Sequence, residues 1–270
     1  MKSRILVAVV GIPLILAIVL LLPTLATTIV IALLCLLAAH ELTVATGLLK
    51  NKRIAAETML MAALVPFWSW AGCPAEAAMA AAVVFLLVLA AELLASRLTL
   101  PFETLTACVF AGIGIPYMLS ALVRLMQQDN GRILILVPIL ISFVADAAAL
   151  FAGMAFGKHK LAPTISPKKT IEGMIGGFVG AVVGMVIFCL VMQFALDKEV
   201  SYLAAVVMAL LGAAVSVVGD LFFSCLKREK KIKDYGKLLP GHGGVLDRFD
   251  SGLFCAPVVE LLMLWLPLLP

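Results

Sequence analysis

Long apolar runs separated by short polar breaks cover almost the whole chain. They fall at about 5–22, 24–41, 55–71, 76–94, 104–123, 133–153, 172–195, 203–223 and 252–269. Each approaches the roughly 20 residues that a helix needs to cross a bilayer. The pattern predicts an all-α, polytopic integral membrane protein with about nine transmembrane helices. The first run follows Met1-Lys2-Ser3-Arg4 and continues without a cleavage-site pattern, so it reads as a retained helix. The first two runs are separated only by Leu22-Pro23-Thr24, a tight turn. In the fifth run Gly112 and Gly114 precede Pro116, which predicts a kink.

Composition sharpens this. The chain is 64% hydrophobic and 13% charged, with a mean hydropathy of +1.17, whereas soluble domains are about half apolar and a quarter charged. The distribution of basic residues then sets the orientation. With a cytoplasmic N-terminus and alternating spans, seventeen of the twenty Lys and Arg residues fall on the cytoplasmic side. The two largest polar loops, about 154–171 and 224–251, fall there too, and any chemistry is expected in them. The reading is a single membrane domain over 1–270, with N-terminal helices in 1–130 and catalytic helices and cytoplasmic loops in 131–270. The six cysteines form no CxxC pair and read as small apolar fillers rather than metal ligands or disulfides. No GxxxxGK[ST] loop, HExxH helix or GxSxG elbow is present, which removes the usual support for ATPase, zinc protease and hydrolase readings.

A few polar residues stand out against the apolar background. Asp146 lies inside the sixth run, where a carboxylate is costly, so it reads as a functional group or as a helix-packing one. Asp220 closes the eighth run beside Gly219, near the interface. The loop KHKLAPTISPKKTIEGMIGG carries Pro163 and Pro167, which forbid a continuous helix and hold it extended. Lys168 and Lys169 then stand at the mouth of a helix beginning near Thr170, a good anion site. Ser166 and Thr170 can cap that helix or donate to a phosphate. Glu172 suits the first turn through the helix dipole alone. His40, beside Glu41, and His159 read as interfacial.

The densest polar block is SCLKREKKIKDYGKLLPGHGGVLDRFD, Ser224 to Asp250, pinned between two apolar runs. Lys227 and Arg228 can clamp phosphates. Pro240-Gly241-His242-Gly243-Gly244 is a turn whose backbone can approach a ligand closely. Asp247 and Asp250 share a face if a helix starts there. With Asp220, two or three carboxylates can hold Mg²⁺, which takes one or two carboxylates together with substrate phosphates. Lys230, Lys231 and Lys237 read as a basic patch drawn to anionic lipid.

At these residues the chain resembles the bacterial phosphatidate cytidylyltransferase (CDP-diacylglycerol synthase) family. The signature reads Ser224, Leu226, Lys227-Arg228, Lys233-Asp234, Gly236, Leu239-Pro240, His242-Gly243-Gly244, Asp247-Arg248 and Asp250. A second shared feature is Ser166-Pro167-Lys168-Lys169-Thr170 with Glu172-Gly173. One departure lies in the sixth run. There the family commonly has an Asp-Thr-Gly-Ala-Tyr-like stretch, and this chain has Asp146-Ala147-Ala148-Ala149-Leu150. The Asp is kept, while the hydroxyl, glycine and ring are missing.

The resemblance implies the reaction of CTP with phosphatidic acid to give CDP-diacylglycerol and pyrophosphate, with Mg²⁺, in the bacterial cytoplasmic membrane and facing the cytoplasm. A lipid phosphate oxygen is already ionised, so positioning and charge neutralisation should dominate over general-base chemistry. On this reading Asp220 and Asp247 hold the metal, with Asp250 and Asp146 as further metal or supporting groups. Lys227, Arg228 and Arg248 hold phosphates, and Ser166, Lys168 and Lys169 bind the triphosphate or lipid head group. Ser224, Lys233, His242, Gly243 and Gly244 complete the substrate-binding set. The implied partners are CTP, phosphatidic acid, membrane lipid and a second copy in a homodimer, with no nucleic acid. Two other functions fit less of the chain: a CTP-dependent lipid-alcohol kinase, and a cation- or proton-coupled transporter using Asp146 and Asp220.

Overall fold

The computed structural model describes residues 16–96, 99–236 and 243–269. Seven described helices are long and apolar enough to cross a membrane. They are α1 (Thr24–Ala45), α2 (Lys52–Ala71), α3 (Ala75–Ala95), α4 (Phe102–Met126), α5 (Gly131–Phe156), α6 (Ile171–Leu196) and α7 (Tyr202–Glu229). Each coincides with one of the apolar runs. The first run lies mostly outside the described residues. The last corresponds to α8 (Leu246–Trp265), whose first turn is charged. The only described departure from helix as regular structure is a two-stranded hairpin, β1 (Lys160–Ala162) and β2 (Ser166–Thr170).

The chain divides into two compact units. The first contains the residues up to Gln127 together with Ile232–Arg248. Its helices α1 to α4 pack around Leu49, Ile54, Met61, Phe85, Leu89 and Leu105. Asn51 starts α2 by accepting the Arg53 N–H at 3.0 Å, and Gly72 ends it in the left-handed conformation. Two of these helices widen into short π segments. One is Glu41–Ala45 at the end of α1. The other is Phe110–Gly114 in α4, just before Pro116, whose missing N–H cannot continue the ordinary ladder. The expected irregularity at Pro116 is therefore a local widening of the helix.

The second unit contains Gln128–Lys231 and the residues from Phe249 onward. Its centre is the antiparallel contact between α5 and α6, made by small residues. A Cβ on Gly176 would collide with the Ala152 methyl, and one on Gly180 with the Ala148 methyl. On the neighbouring stripe, Gly173 and Gly177 lie against the backbone carbonyls of Ala149 and Ala145. Lipid tails are as apolar as the side chains, so helices in a bilayer gain most from close van der Waals approach, and small residues permit it. Ala145, Ala148, Ala149 and Ala152 thus form the α5 half of this seam. We expect Gly180→Ala to destabilise the fold by about 1–3 kcal/mol through overpacking. Ala148→Gly in the same chain should recover part of that loss, measured by thermal unfolding in detergent.

Candidate active site

The loop between α5 and α6 shows how the two lysines are held. Pro163 sits in the turn and Pro167 in β2, so the segment is extended, as the prolines require, and it folds back on itself. Lys160 pairs with Thr170 and Ala162 with Ser166. Thr170 is the cap of α6: its Oγ1 accepts the Gly173 N–H at 3.1 Å. Ser166 is half-buried in β2 and does not cap. Glu172 does more than complement the dipole. Its carboxylate accepts the backbone N–H groups of Lys158 (3.1 Å) and His159 (3.2 Å), and Oε1 lies 2.6 Å from His159 Nδ1. Glu172 therefore latches the start of the hairpin to the first turn of α6, and His159 is its partner.

The α7 helix presents Asp220, Ser224 and Arg228 at intervals of four, on one face. Lys169 Nζ forms an ion pair with Asp220 Oδ2. Ser224 Oγ donates to Asp220 Oδ1 at 3.2 Å. Arg228 is exposed, and its Nε donates to the Ile165 carbonyl at 3.1 Å, fastening the hairpin to α7. Lys168 is exposed beside this cluster. Of the candidate groups, Ser166, Lys168, Lys169, Asp220, Ser224, Lys227, Arg228, Asp146 and Asp250 all belong to the second unit.

Asp250 in α8 is only 8% exposed. Its Oδ1 accepts the Ser251 N–H at 2.9 Å, and Ser251 Oγ donates to Asp146 Oδ2 at 2.8 Å. Asp250 lies within Coulombic reach of Asp220 and Asp146, which repel it, and of Lys227, which attracts it. Three helices thus bring three carboxylates into one neighbourhood. Gly219 permits part of this: a Cβ there would collide with the Asp250 carbonyl and the Phe254 ring, so α7 and α8 approach closely beside Asp220. Ser251 was not singled out from the sequence, since a Ser at the edge of an apolar run carries no signal of a partner on another helix.

This donor set suits a hard cation. Carboxylate oxygens are what Mg²⁺ takes, and a divalent charge would relieve the repulsion among Asp146, Asp220 and Asp250. Among the described residues, no group of three or more acidic, His or Cys side chains is close enough to form a cage by itself. The remaining positions around an ion would fall to phosphate oxygens and water, the usual arrangement for Mg²⁺.

A cavity of about 510 Å³ opens beside this cluster. Asp146, Lys168, Lys169, Thr170 and Asp220 line its polar part. Leu150, Met154, Met174, Phe178 and Val217 line the rest. Leu150 and Met154 are 59% and 67% exposed, so the apolar side of the cavity is continuous with the apolar surface of the unit. Charge at one end and hydrocarbon at the other match an amphipathic ligand with an anionic head.

In the first unit, Asp247 Oδ2 accepts the backbone N–H groups of Tyr235 (2.8 Å) and Gly244 (3.0 Å). Gly243 has φ +84°, a conformation that glycine adopts without strain. Lys233 lies exposed in the connecting coil, and Arg248 follows Asp247 in the first turn of α8. His242 lies outside the described residues. The residue missed here is Glu41. It is 5% exposed, and its two oxygens accept the N–H groups of Val245 and Leu246, each at 2.9 Å.

A family model described as the cytidylyltransferase family matches residues 2–266. Several curated bacterial proteins named phosphatidate cytidylyltransferase are similar to the chain. The one from Staphylococcus haemolyticus (strain JCSC1435) is 35% identical over 160 residues, which covers 59% of this chain and 58% of the relative. The one from Thermotoga maritima is 37% identical over 158 residues, 58% of each chain. The one from Bacillus subtilis (strain 168) is 37% identical over 162 residues, 60% of this chain and 57% of the relative. The matched stretch is thus a little under three fifths of the length of these relatives.

The Arg228 contact generates a test of how the lysine hairpin is held. Arg228→Ala removes the donor to Ile165, so trypsin should cleave after Lys168 or Lys169 several-fold faster than in the unsubstituted protein. Unchanged cleavage would show that the hairpin is held by its own strand pairing and the Glu172 latch alone.

Proposed function

The chain belongs to the cytidylyltransferase family, and from that membership we propose that it is a phosphatidate cytidylyltransferase. It would join CTP to phosphatidic acid and release CDP-diacylglycerol and pyrophosphate. One observation carries the reading: the carboxylate and lysine cluster of the second unit stands at the polar end of a cavity whose other walls are apolar. A site for a nucleotide alone needs no hydrocarbon wall. A site for a lipid phosphate needs both.

The atoms balance without a strong base. An ionised phosphate oxygen of the lipid attacks the α-phosphorus of CTP, a new P–O–P bridge forms, and the bond to the β-phosphate breaks to release pyrophosphate. The obstacle is repulsion between two polyanions together with in-line alignment. Lys168 and Lys169 would draw the phosphates to the hairpin. Lys169 would move between its partner Asp220 and a substrate oxygen, keeping its charge inside the site in both states. Lys227 would offset the charge of Asp250. Asp220 and Asp250, with Asp146 in support, would hold Mg²⁺. When bound, the ion would supply positive charge to offset that of the phosphates. The hydroxyls of Ser224 and Ser251 fix the rotamers of Asp220 and Asp146. Asp247 and Arg248 enter the proposal on the family signature alone, Asp247 as a further carboxylate for the metal and Arg248 as a phosphate holder.

The same reading proposes a place. The basic loops favour the cytoplasmic side of a bacterial inner membrane, where CTP is dissolved and the lipid head group lies at the interface. The acyl chains would lie along Leu150 and Met154 without leaving hydrocarbon.

Purified protein given radiolabelled CTP and phosphatidic acid with Mg²⁺ should form a labelled CDP-lipid, and EDTA should stop it. Asp220→Asn and Asp247→Asn should each lower kcat by about 100-fold or more, the scale for losing a group that stabilises developing charge, while the protein still folds into detergent micelles. Near-normal synthesis by either variant would sink that residue's assignment.

A further inference from the structure

We infer that Glu41 is a positioning residue for the proposed reaction, holding the first turn of α8 and through it Asp247. The inference rests on the functional reading above for Asp247, and on geometry within the first unit for everything else. No other described residue in this unit combines charge, burial and distance in sequence in the same way. Glu41 lies at the start of the π segment Glu41–Ala45 that ends α1. It is a carboxylate in a membrane-spanning helix, an expensive placement that needs strong compensation. The compensation is specific. Val245 and Leu246 are more than two hundred residues away in sequence, and their N–H groups are two of the donors that a helix N-terminus leaves unmatched. Two oxygens meet two donors, and the positive end of the helix faces the negative charge.

The surrounding backbone is shaped to this carboxylate. A Cβ on Gly236 or on Gly244 would collide with the oxygens of Glu41. Both glycines belong to the loop whose other fixed point is Asp247 Oδ2, which accepts from Tyr235 and Gly244. Three successive amides, those of Gly244, Val245 and Leu246, are therefore divided between two carboxylates: the first goes to Asp247 and the next two to Glu41. Asp247 is within Coulombic reach of Glu41, so the two acids also repel. The Tyr235 and Gly244 amides on Asp247, and the Val245 and Leu246 amides on Glu41, hold the two acids in place against that repulsion. Without Glu41 two donors at the helix start lose their partners, and the turn that orients Asp247 is free to shift.

An uncharged isostere separates this role from packing. Glu41→Gln preserves shape, but its amide nitrogen meets a backbone N–H donor where an acceptor stood. We expect kcat per folded molecule to fall by about 10- to 100-fold, the scale for a misplacement of roughly 1 Å, with the KM for CTP changed less than threefold. Hydrogen exchange in a peptide covering 243–250 should accelerate, while exchange in α5 and α6 stays unchanged. A kcat within twofold of the unsubstituted protein would overturn the positioning role. If the unsubstituted protein itself makes no CDP-lipid, the functional reading fails. The clamp is then decided by exchange alone: acceleration in 243–250 supports it, and an unchanged rate overturns it.

Discussion

A carboxylate enclosed by apolar helices must find donors or cations, and that requirement organises both units of this protein. Water is absent from the bilayer interior, and an unpaired charge there costs several kcal/mol. Each acid set among these helices has a distinct solution. Asp220 takes Lys169 and Ser224. Asp146 takes Ser251, whose own N–H serves Asp250. Glu41 takes two amides at the start of a helix. These pairings hold the loops and helix ends in defined positions, which free side chains in a polar loop would not do.

The pairings in turn need close approach of the backbone, which explains the small residues. In the second unit, Gly219 brings α7 against the Asp250 carbonyl, and the glycine stripe of α6 seats α5 with its Asp146. Ala148 and Ala149 fit this scheme: the Ala148 methyl lies against Gly180 and the Ala149 methyl against Gly177. The cavity beside Asp146 is apolar on its other side, with Leu150 reaching its edge.

Much of this was legible in the sequence because it is local. Hydropathy gives the helices, and charge spacing points to the two polar loops. The positions of Asp146 and Asp220 in or beside apolar runs mark them as expensive. Pro163 and Pro167 dictate an extended segment, although they do not dictate that β2 returns to pair with β1. What was not legible is long-range. Glu41 looks like an ordinary interfacial acid until Val245 and Leu246 are placed beside it, and no periodicity links positions so far apart. Ser251 is invisible for the same reason, and Glu172 looked sufficiently explained by the dipole of its own helix until the Lys158 and His159 amides were found on it. Arg228 shows the reverse case. The motif marks it as a phosphate clamp, and the structure also gives it the work of fastening the hairpin.

The central claim is that the site joins two phosphates at the α-phosphorus of CTP, on a lipid held by its phosphate. Following CTP labelled at either the α or the γ phosphorus tests this most directly, with phosphatidic acid in mixed micelles and the purified protein. The account predicts that the α label enters the lipid and the γ label leaves as pyrophosphate. Transfer of the γ label to lipid, with release of CDP, would contradict it.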